Sequence, residues 1–496
     1  MGVIKKQTIQ GSIYTYLGVI ISFITTGILM PRLFSSGEIG VLNLLFSYSE
    51  TLGYFGTLGF SSIIIRMFPY FRNKDNANNG LGFLLIVNYI IGVLLVLGIY
   101  ALLRNWLIDI SIQKSGLFVT YIDYLIPLII FTTLFMLLDP YASALLASVR
   151  GTFQKEFLFR ILILFFLIFY YLKVINFNTY VLLYVMALSL PGVLMFIYLF
   201  KQNDLNFKPQ LGFIKGDMAK TMFGVASTGL MAGFINFASR NLDKIMLSSM
   251  ISIEQVGVYS IAFLFATIIL VPSRAIVKIS APVIADEWKT GSIVKIFEIY
   301  KKSIVNQTIV ATLLLLGIVV NRHSIFAILP DEYKQGQWVL VFIGISGLIE
   351  MMGGVSAIII QTSSKYKVYT IHAFFYFLAT IGFTYFFIQL WGITGASIAA
   401  AAAKLVFTYV RFQYLYNQYK MQPYDKVMAY LLLISAVILG INYLIPDIKS
   451  IIIDILVRST MVSVIFGIST YYLSLSDEIN QTLHNVLVKV KQWRRK

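Results

Sequence analysis

Arg240, Asp243 and Lys244 fall three and four residues apart in a stretch that is otherwise largely apolar. At those spacings the three side chains share one side of a helix. A guanidinium beside an ammonium suits phosphate oxygens, the Arg as a two-pronged fork and the Lys as a point charge. Asp243 can neutralise one cation and leave the other. Arg274 and Lys278 repeat the arrangement four residues apart, between Pro272 and Pro282, which can kink a helix. Lys404 ends the small-residue run GASIAAAAAK, whose Ala and Gly allow close helix approach. It must find room in a cavity or reach a membrane face by snorkelling. Asn43, Ser47, Tyr48, Ser49, Thr51 and Tyr54 recur along another apolar stretch, where they could line a path for hydroxyl-rich groups.

The elements that carry these residues follow from composition. Of 496 residues, 58% are hydrophobic and 12% charged, about half the charge of an ordinary soluble domain. Such a chain is expected to be an all-α integral membrane protein. There is no cysteine, so disulfides and thiolate sites are excluded. His323, His372 and His484 form no HxxxH pair, which argues against a zinc enzyme, and no cofactor is expected. No GxxxxGK[ST] motif occurs, so the chain has no Walker site for ATP. The net charge of +17 sits mostly between apolar runs, which points to anionic lipid headgroups rather than nucleic acid.

Apolar runs long enough to span a bilayer cover residues 8–31, 39–68, 80–103, 121–149, 157–175, 179–200, 219–250, 256–285, 303–321, 335–361, 368–389, 392–417, 427–445 and 451–474. Fourteen transmembrane helices are therefore expected, the first retained because no small-x-small cleavage site follows it. With the N-terminus inside, the cytoplasmic segments hold 26 Lys and Arg, Lys155 and Arg411 among them, against 8 outside, Arg458 among these. This bias places both termini in the cytoplasm. All loops are short, so any function lies within the membrane or at its faces.

The chain repeats itself. FSSGEIGVLN (34–43) matches ISIEQVGVYS (251–260), with Gly40 and Gly257 in register, and SALLASVRGTFQ from Ser143 resembles SAIIIQTSSKYK from Ser356. Two six-helix lobes follow, 1–215 and 216–420, with helices 13 and 14 at 421–475 and a basic cytoplasmic tail at 476–496. Lobes that enter the membrane in the same direction are related by a pseudo-two-fold along the membrane normal, with a central cavity between them.

RNLDKIMLSSMISIEQVGVYSIAF (240–263), MPRLFSSGEIGVLNL (30–44) and WGITGASIAAAAAKL (391–405) resemble signatures of the polysaccharide flippases. These are the Wzx-type, O-antigen and lipid-linked oligosaccharide branch of the multidrug/oligosaccharidyl-lipid/polysaccharide exporter superfamily. The resemblance runs the whole chain. It implies a two-lobed alternating-access transporter of the bacterial cytoplasmic membrane. Its usual substrate would be a polyprenyl-pyrophosphate-linked oligosaccharide moved to the outer leaflet, and other glycan-assembly membrane proteins are possible partners. Arg240, Lys244, Arg274, Lys278 and Lys404 would then attract the pyrophosphate, with Asn43 and Tyr48 toward the sugar.

The membrane-embedded acids are Glu50, Asp139, Asp243 and Glu350. A charge at bilayer depth costs at least about 2.5 kcal/mol, so each needs a cavity or a partner. Asp139 and Glu350 lie in equivalent spans 4 and 10, two residues apart after an offset of 213, and could bind a coupling H+ or Na+, or lock the lobes through a cation. Arg66 and Arg150, at the cytoplasmic ends of spans 2 and 4, could form an inner gate, capture headgroups or simply anchor the helices. Three structural alternatives stay open. Arg274 and Lys278 could snorkel, Arg240 and Lys244 could pair with Asp243 or Glu50, and the span-2 polar residues could bond only to neighbouring helices. Three rival functions also stay open. A multidrug extruder should have an acidic, aromatic cavity, and a lipid II flippase would share the chemistry above. A glycan polymerase or acyltransferase should carry a large outer loop or a catalytic His, whereas His372 stands alone beside Phe374, Phe375 and Tyr376.

Overall fold

The computed structural model describes residues 2–73, 77–205, 209, 214, 216–446, 448–478 and 480–481, with the side chain of Lys278 outside the description. The basic tail beyond residue 481 also lies outside it. Among the described residues the chain is all helix, without a strand. Eleven helices are long and apolar enough to cross a membrane. One of them, Lys367–Tyr419, breaks at Trp391 and Gly392, where Gly392 takes φ 57°. Two more helical stretches stand where spans 2 and 5 are expected, Ser36–Gly56 with Phe60–Phe71, and Ser148–Tyr171. The expected fourteen is consistent with this arrangement. Leu94, Leu102, Leu432, Tyr443 and Ile452 are more than half exposed, a surface suited to lipid rather than water.

The chain divides into two compact units, Met1–Ser260 and Ile261–Lys496. In the first, we label Gly2–Ser22 α1, Ser36–Gly56 α2, Phe60–Phe71 α3, Leu81–Ile112 α4, Leu125–Ala144 α5, Phe159–Tyr171 α6, Phe177–Lys201 α7 and Asp217–Met250 α8. Helix α9, Ile253–Ala266, begins at the end of this unit. The helix expected to open a second lobe, α8, packs here along α2 and α3. Tyr54 Oη donates to the Gly229 carbonyl at 3.1 Å, and the Tyr54 ring stacks on Phe237 at 4.8 Å. Met222 joins the apolar core of Phe60, Ile64, Leu138 and Tyr141. The break between α2 and α3 falls at Leu58 and Gly59, with φ 50° and 75°. A Cβ on Gly59 would overlap the Ala226 carbonyl of α8, so glycine serves both the left-handed turn and the close approach.

The two copies of the opening repeat meet inside this unit. Ser35 caps α2 in a reciprocal box with Glu38, and Ser252 caps α9 by accepting from the Gln255 amide at 3.4 Å. A Cβ on Gly40 would overlap the Ile253 carbonyl, and one on Gly257 would overlap the Ser36 carbonyl. Residues 36 and 40 correspond to 253 and 257 through the same offset of 217, so the contact is its own mirror: each copy's glycine sits on the first helical residue of the other copy. Gly40→Ala and Gly257→Ala are each expected to cost about 1–3 kcal/mol through overpacking, with similar losses in melting temperature of the detergent-solubilised protein. Parent-like melting of both variants would remove the close contact.

In the second unit we label Val271–Thr290 α10, Ile293–Val320 α11, Gln337–Met352 α12, Ser356–Thr362 α13, Lys367–Tyr419 α14, Lys426–Leu444 α15 and Ile451–Tyr472 α16. Ile284, Tyr300, Ile359 and Leu415 form one core. Ile309 and Leu316 of α11 hold α15 and α16 through Ile434, Ile438, Val462 and Phe466. Arg458, expected in an outer segment, is instead buried on α16 at 2.8 Å from Asp454, and it also donates to Asn442 Oδ1 at 2.6 Å. A neighbouring acid one helical turn away made burial affordable.

The second repeat match does not align like with like. The turn after span 4 is at Leu145–Ala147, directly after Ser143, whereas the turn after span 10 begins at Ser363, seven residues past Ser356. An extra break at Gly353 and Gly354, where Gly354 has φ 52°, divides α12 from α13. Asp139 therefore stands six residues before its turn and Glu350 thirteen before its own. The two acids are about two helical turns apart in register and are not equivalent.

Candidate functional site

Within Met1–Ser260, charges converge from three elements: Glu50 on α2, Lys155 on the turn ahead of α6, and Arg240 and Lys244 on α8. Lys155 lies in a π-helical turn, Phe153–Leu158. Such a turn carries an extra residue and re-aims the side chains around it. Lys155 and Glu156 thereby serve different neighbours. Lys155 Nζ lies 2.9 Å from Glu50 Oε1, and Glu156 pairs with Arg160 at 2.7 Å. The Glu50 side chain is 7% exposed and that of Lys155 40%. The carboxylate is thus fixed in the packed interior, while part of the Lys155 side chain stays exposed.

Arg240 and Lys244 are near enough for their charges to act on Glu50, and that of Arg240 acts on Lys155. Lys244 Nζ also donates to Asn43 Oδ1 at 3.4 Å, and Asn43 anchors itself through Nδ2 to the Ile39 carbonyl at 3.0 Å. Arg240 is exposed, 5.9 Å from the Phe237 ring centre, with no ion pair among the described residues. Asp243 acts on Lys244 through its charge but bonds elsewhere. It is buried and accepts from Tyr259 Oη of α9 at 2.6 Å, so the shared face expected for residues 240, 243 and 244 splits between two neighbouring helices. Three cations surround one central carboxylate, and an arrangement of that kind can hold an anion with two or more charges.

Other expected residues are more peripheral. Tyr48 stacks on Phe118 at 5.7 Å and is half-buried. Ser49 and Thr51 donate to carbonyls of their own helix, Phe46 and Ser47. Asp139 is half-buried against the Gly151 backbone, where a Cβ would overlap its carboxyl, within electrostatic reach of Lys155. Arg150 is exposed with its guanidinium 3.9 Å from the Tyr198 ring centre, and Arg66 is exposed in the middle of α3.

A second charged group lies within Ile261–Lys496. Lys404 Nζ is 2.9 Å from Glu350 Oε2 and 5.0 Å from the Tyr376 ring centre. Arg411, 2% exposed, places Nη2 3.7 Å from the same carboxylate and 3.2 Å from Thr408 Oγ1, with its guanidinium over Phe407 at 4.5 Å. Lys404 therefore neither snorkels nor stands alone. Arg274 is exposed on α10. His372 is half-buried with its ring edge-on to Tyr414 at 5.6 Å.

Lys155 and Arg411 were missed as site residues because both were counted as cytoplasmic loop charges. Their apolar flanks, FLFRILI after Lys155 and FTYV before Arg411, were the available signal.

No protein-family model matches the sequence, and no curated protein matches it. Solved structures do. Lipid II flippase MurJ, in an inward closed conformation, superimposes with a TM-score of 0.72 at 12% identity, covering 94% of this chain and 98% of that one. An inward-facing multidrug resistance MATE family transporter of the MOP superfamily gives 0.59 at 15% identity, covering 80% and 93%. A mutant of the Vibrio cholerae MATE transporter VcmN gives 0.56 at 15% identity, covering 84% and 99%. At such identities the likeness is one of fold: the chain has the architecture shared by these transporters.

Proposed function

We propose that this protein is a flippase that moves a polyprenyl-pyrophosphate-linked oligosaccharide from the cytoplasmic to the outer leaflet by alternating access. The observation that carries the proposal is the group of Lys155, Arg240 and Lys244 around Glu50 in an otherwise apolar, membrane-spanning fold. A pyrophosphate has oxygens for an Arg fork and two Lys ammoniums at once. Its lipid tail stays in the bilayer while the headgroup crosses along the charged path. In this reading the protein lies in the bacterial cytoplasmic membrane with both termini inside. Basic cytoplasmic segments meet anionic lipids, other glycan-assembly proteins are its partners, and Na+ or H+ drives the cycle through Glu50, Asp139, Asp243 or Glu350.

The likeness to MATE transporters keeps a multidrug extruder as the second reading. An extruder of organic cations needs acids facing its substrate. Here the central acid, Glu50, already has a cation at 2.9 Å, which favours an anionic substrate. The MurJ structure is that of a lipid II flippase, and a peptidoglycan precursor would suit the same three cations.

Deleting the gene in a strain with no redundant transporter is expected to trap lipid-linked oligosaccharide on the cytoplasmic leaflet. Sensitivity to ethidium should stay unchanged. Normal surface glycan with heightened ethidium sensitivity would overturn the flippase reading in favour of the extruder.

A further inference from the structure

The charge distribution around Glu50 has an unusual inside-out order. The acid is packed, and its partner is open. Lys155 bonds Glu50 at 2.9 Å yet leaves 40% of its side chain exposed, and Arg240 beside them is exposed with no ion pair among the described residues. The packed partner is the acid, so the side from which the pair can be approached is that of the cations. Here one carboxylate serves as the shared counter-ion of three cations, of which Arg240 is exposed and Lys155 and Lys244 are half-buried. Three further acids border the group, and one of them, Glu156, is paired with Arg160 at 2.7 Å. Asp243 is taken by Tyr259, and Asp139 lies against the Gly151 backbone, so neither is bonded to these cations in place of Glu50.

From this order we infer that Glu50 is a resident counter-anion, occupying at Lys155 the place that a phosphate of the ligand takes. The inference deepens the flippase reading and rests on it for the identity of the ligand. An incoming pyrophosphate approaches on the open side of Lys155 and Arg240. One of its oxyanions replaces Glu50 at Lys155 Nζ. The carboxylate is left in electrostatic contact with Lys244, which also keeps its bond to Asn43. No proton or covalent bond changes hands in this step. Because Glu50 belongs to α2 and Lys155 to the turn before α6, the exchange unties two elements that this pair holds together. Ligand binding and helix release are thereby one event.

The test uses the full-length protein purified in detergent, with inorganic pyrophosphate and farnesyl pyrophosphate as probes and calorimetry as the readout. Glu50→Gln removes the competitor while keeping its shape, so both probes should bind about tenfold tighter. Lys155→Gln should bind them about tenfold more weakly. In the Lys155→Gln background, Glu50→Gln should change affinity less than threefold, because the acid acts through that lysine. A purely structural pair would give no such dependence. Tighter binding of the farnesyl form identifies a lipid-linked ligand and equal binding a soluble one, and both rankings support the exchange. Unchanged affinity in Glu50→Gln, or an equal effect of that substitution with and without Lys155, overturns it. If either single variant fails to fold, Glu50→Asp, which draws the carboxylate back from Lys155, or Lys155→Met takes its place in the same comparison. Failure of the leaflet assay with these affinity shifts intact would sink the flippase reading alone. Normal flipping with unchanged affinities would sink the counter-ion alone.

Discussion

Alanine at both Arg240 and Lys244 is expected to cut lipid-linked oligosaccharide flipping by at least about a hundredfold while leaving the protein at normal levels in the membrane. A hydrogen bond to a charged group is worth about 1.5–3 kcal/mol, so each lost cation costs roughly 10–100-fold in binding the headgroup. Folding should suffer little. Arg240 is exposed and makes only a ring contact with Phe237, and exposed positions of that kind change stability by about 0.5 kcal/mol or less. Lys244 leaves behind Asn43, whose amide still donates to Ile39. Two conservative variants separate geometry from charge. Arg240→Lys keeps the charge and loses the fork, so it should retain about a tenth of the activity. Lys244→Gln keeps a donor for Asn43 and loses the charge, so it should resemble Lys244→Ala. Flipping measured in proteoliposomes, with membrane abundance checked by immunoblot, decides the matter. Full activity in both alanine variants would take α8 out of the mechanism.

The large-scale reading of the sequence succeeded where one physical constraint dominates. Backbone polar groups in lipid must be satisfied within a helix, so apolar run length alone announced the all-α membrane fold. The charges of α8 were legible for the related reason that an Arg and a Lys three to four residues apart in an apolar run demand an explanation. Asn43 was legible as a polar interruption and does meet Lys244.

The misreadings share a cause of their own: they depend on contacts distant in sequence. Asp243 looked like the partner of its neighbours, but Tyr259, sixteen residues on and across a hairpin, takes its carboxylate. Lys155 and Arg411 looked like loop cations because the inside-positive bias treats every inner cation alike. The fold buries Arg411 against Glu350 sixty-one residues earlier, and a π turn carries Lys155 to Glu50. Asp139 and Glu350 looked equivalent because the offset between the repeat copies carries no sign of the break at Gly353 and Gly354. It is a left-handed break that shifts the register of everything before it.

Glu350→Gln is expected to be the most destabilising single change among the three charges of its group, by about 3–5 kcal/mol, and Arg411→Met the mildest. The ordering follows from what each change strands. Glu350 is the acid facing both Lys404 at 2.9 Å and Arg411 at 3.7 Å. Neutralising it leaves two partly or wholly buried cations with no counter-charge, and an uncompensated buried charge is what makes a broken pair expensive. Replacing Arg411, 2% exposed, by methionine refills much of its volume and leaves Glu350 and Lys404 as a one-to-one pair, so no charge is stranded. Lys404→Met falls between the two, because Arg411 then serves Glu350 from the longer distance. Adding Arg411→Met to Glu350→Gln should recover about half of the loss, since one stranded cation is gone. Melting temperatures of the four detergent-solubilised proteins test the order. The same measurement separates a lock from a coupling site. A lock predicts the stability ranking with ion dependence of transport unchanged in Arg411→Met. A coupling carboxyl predicts that Glu350→Gln melts like the parent while transport loses its response to a Na+ or H+ gradient.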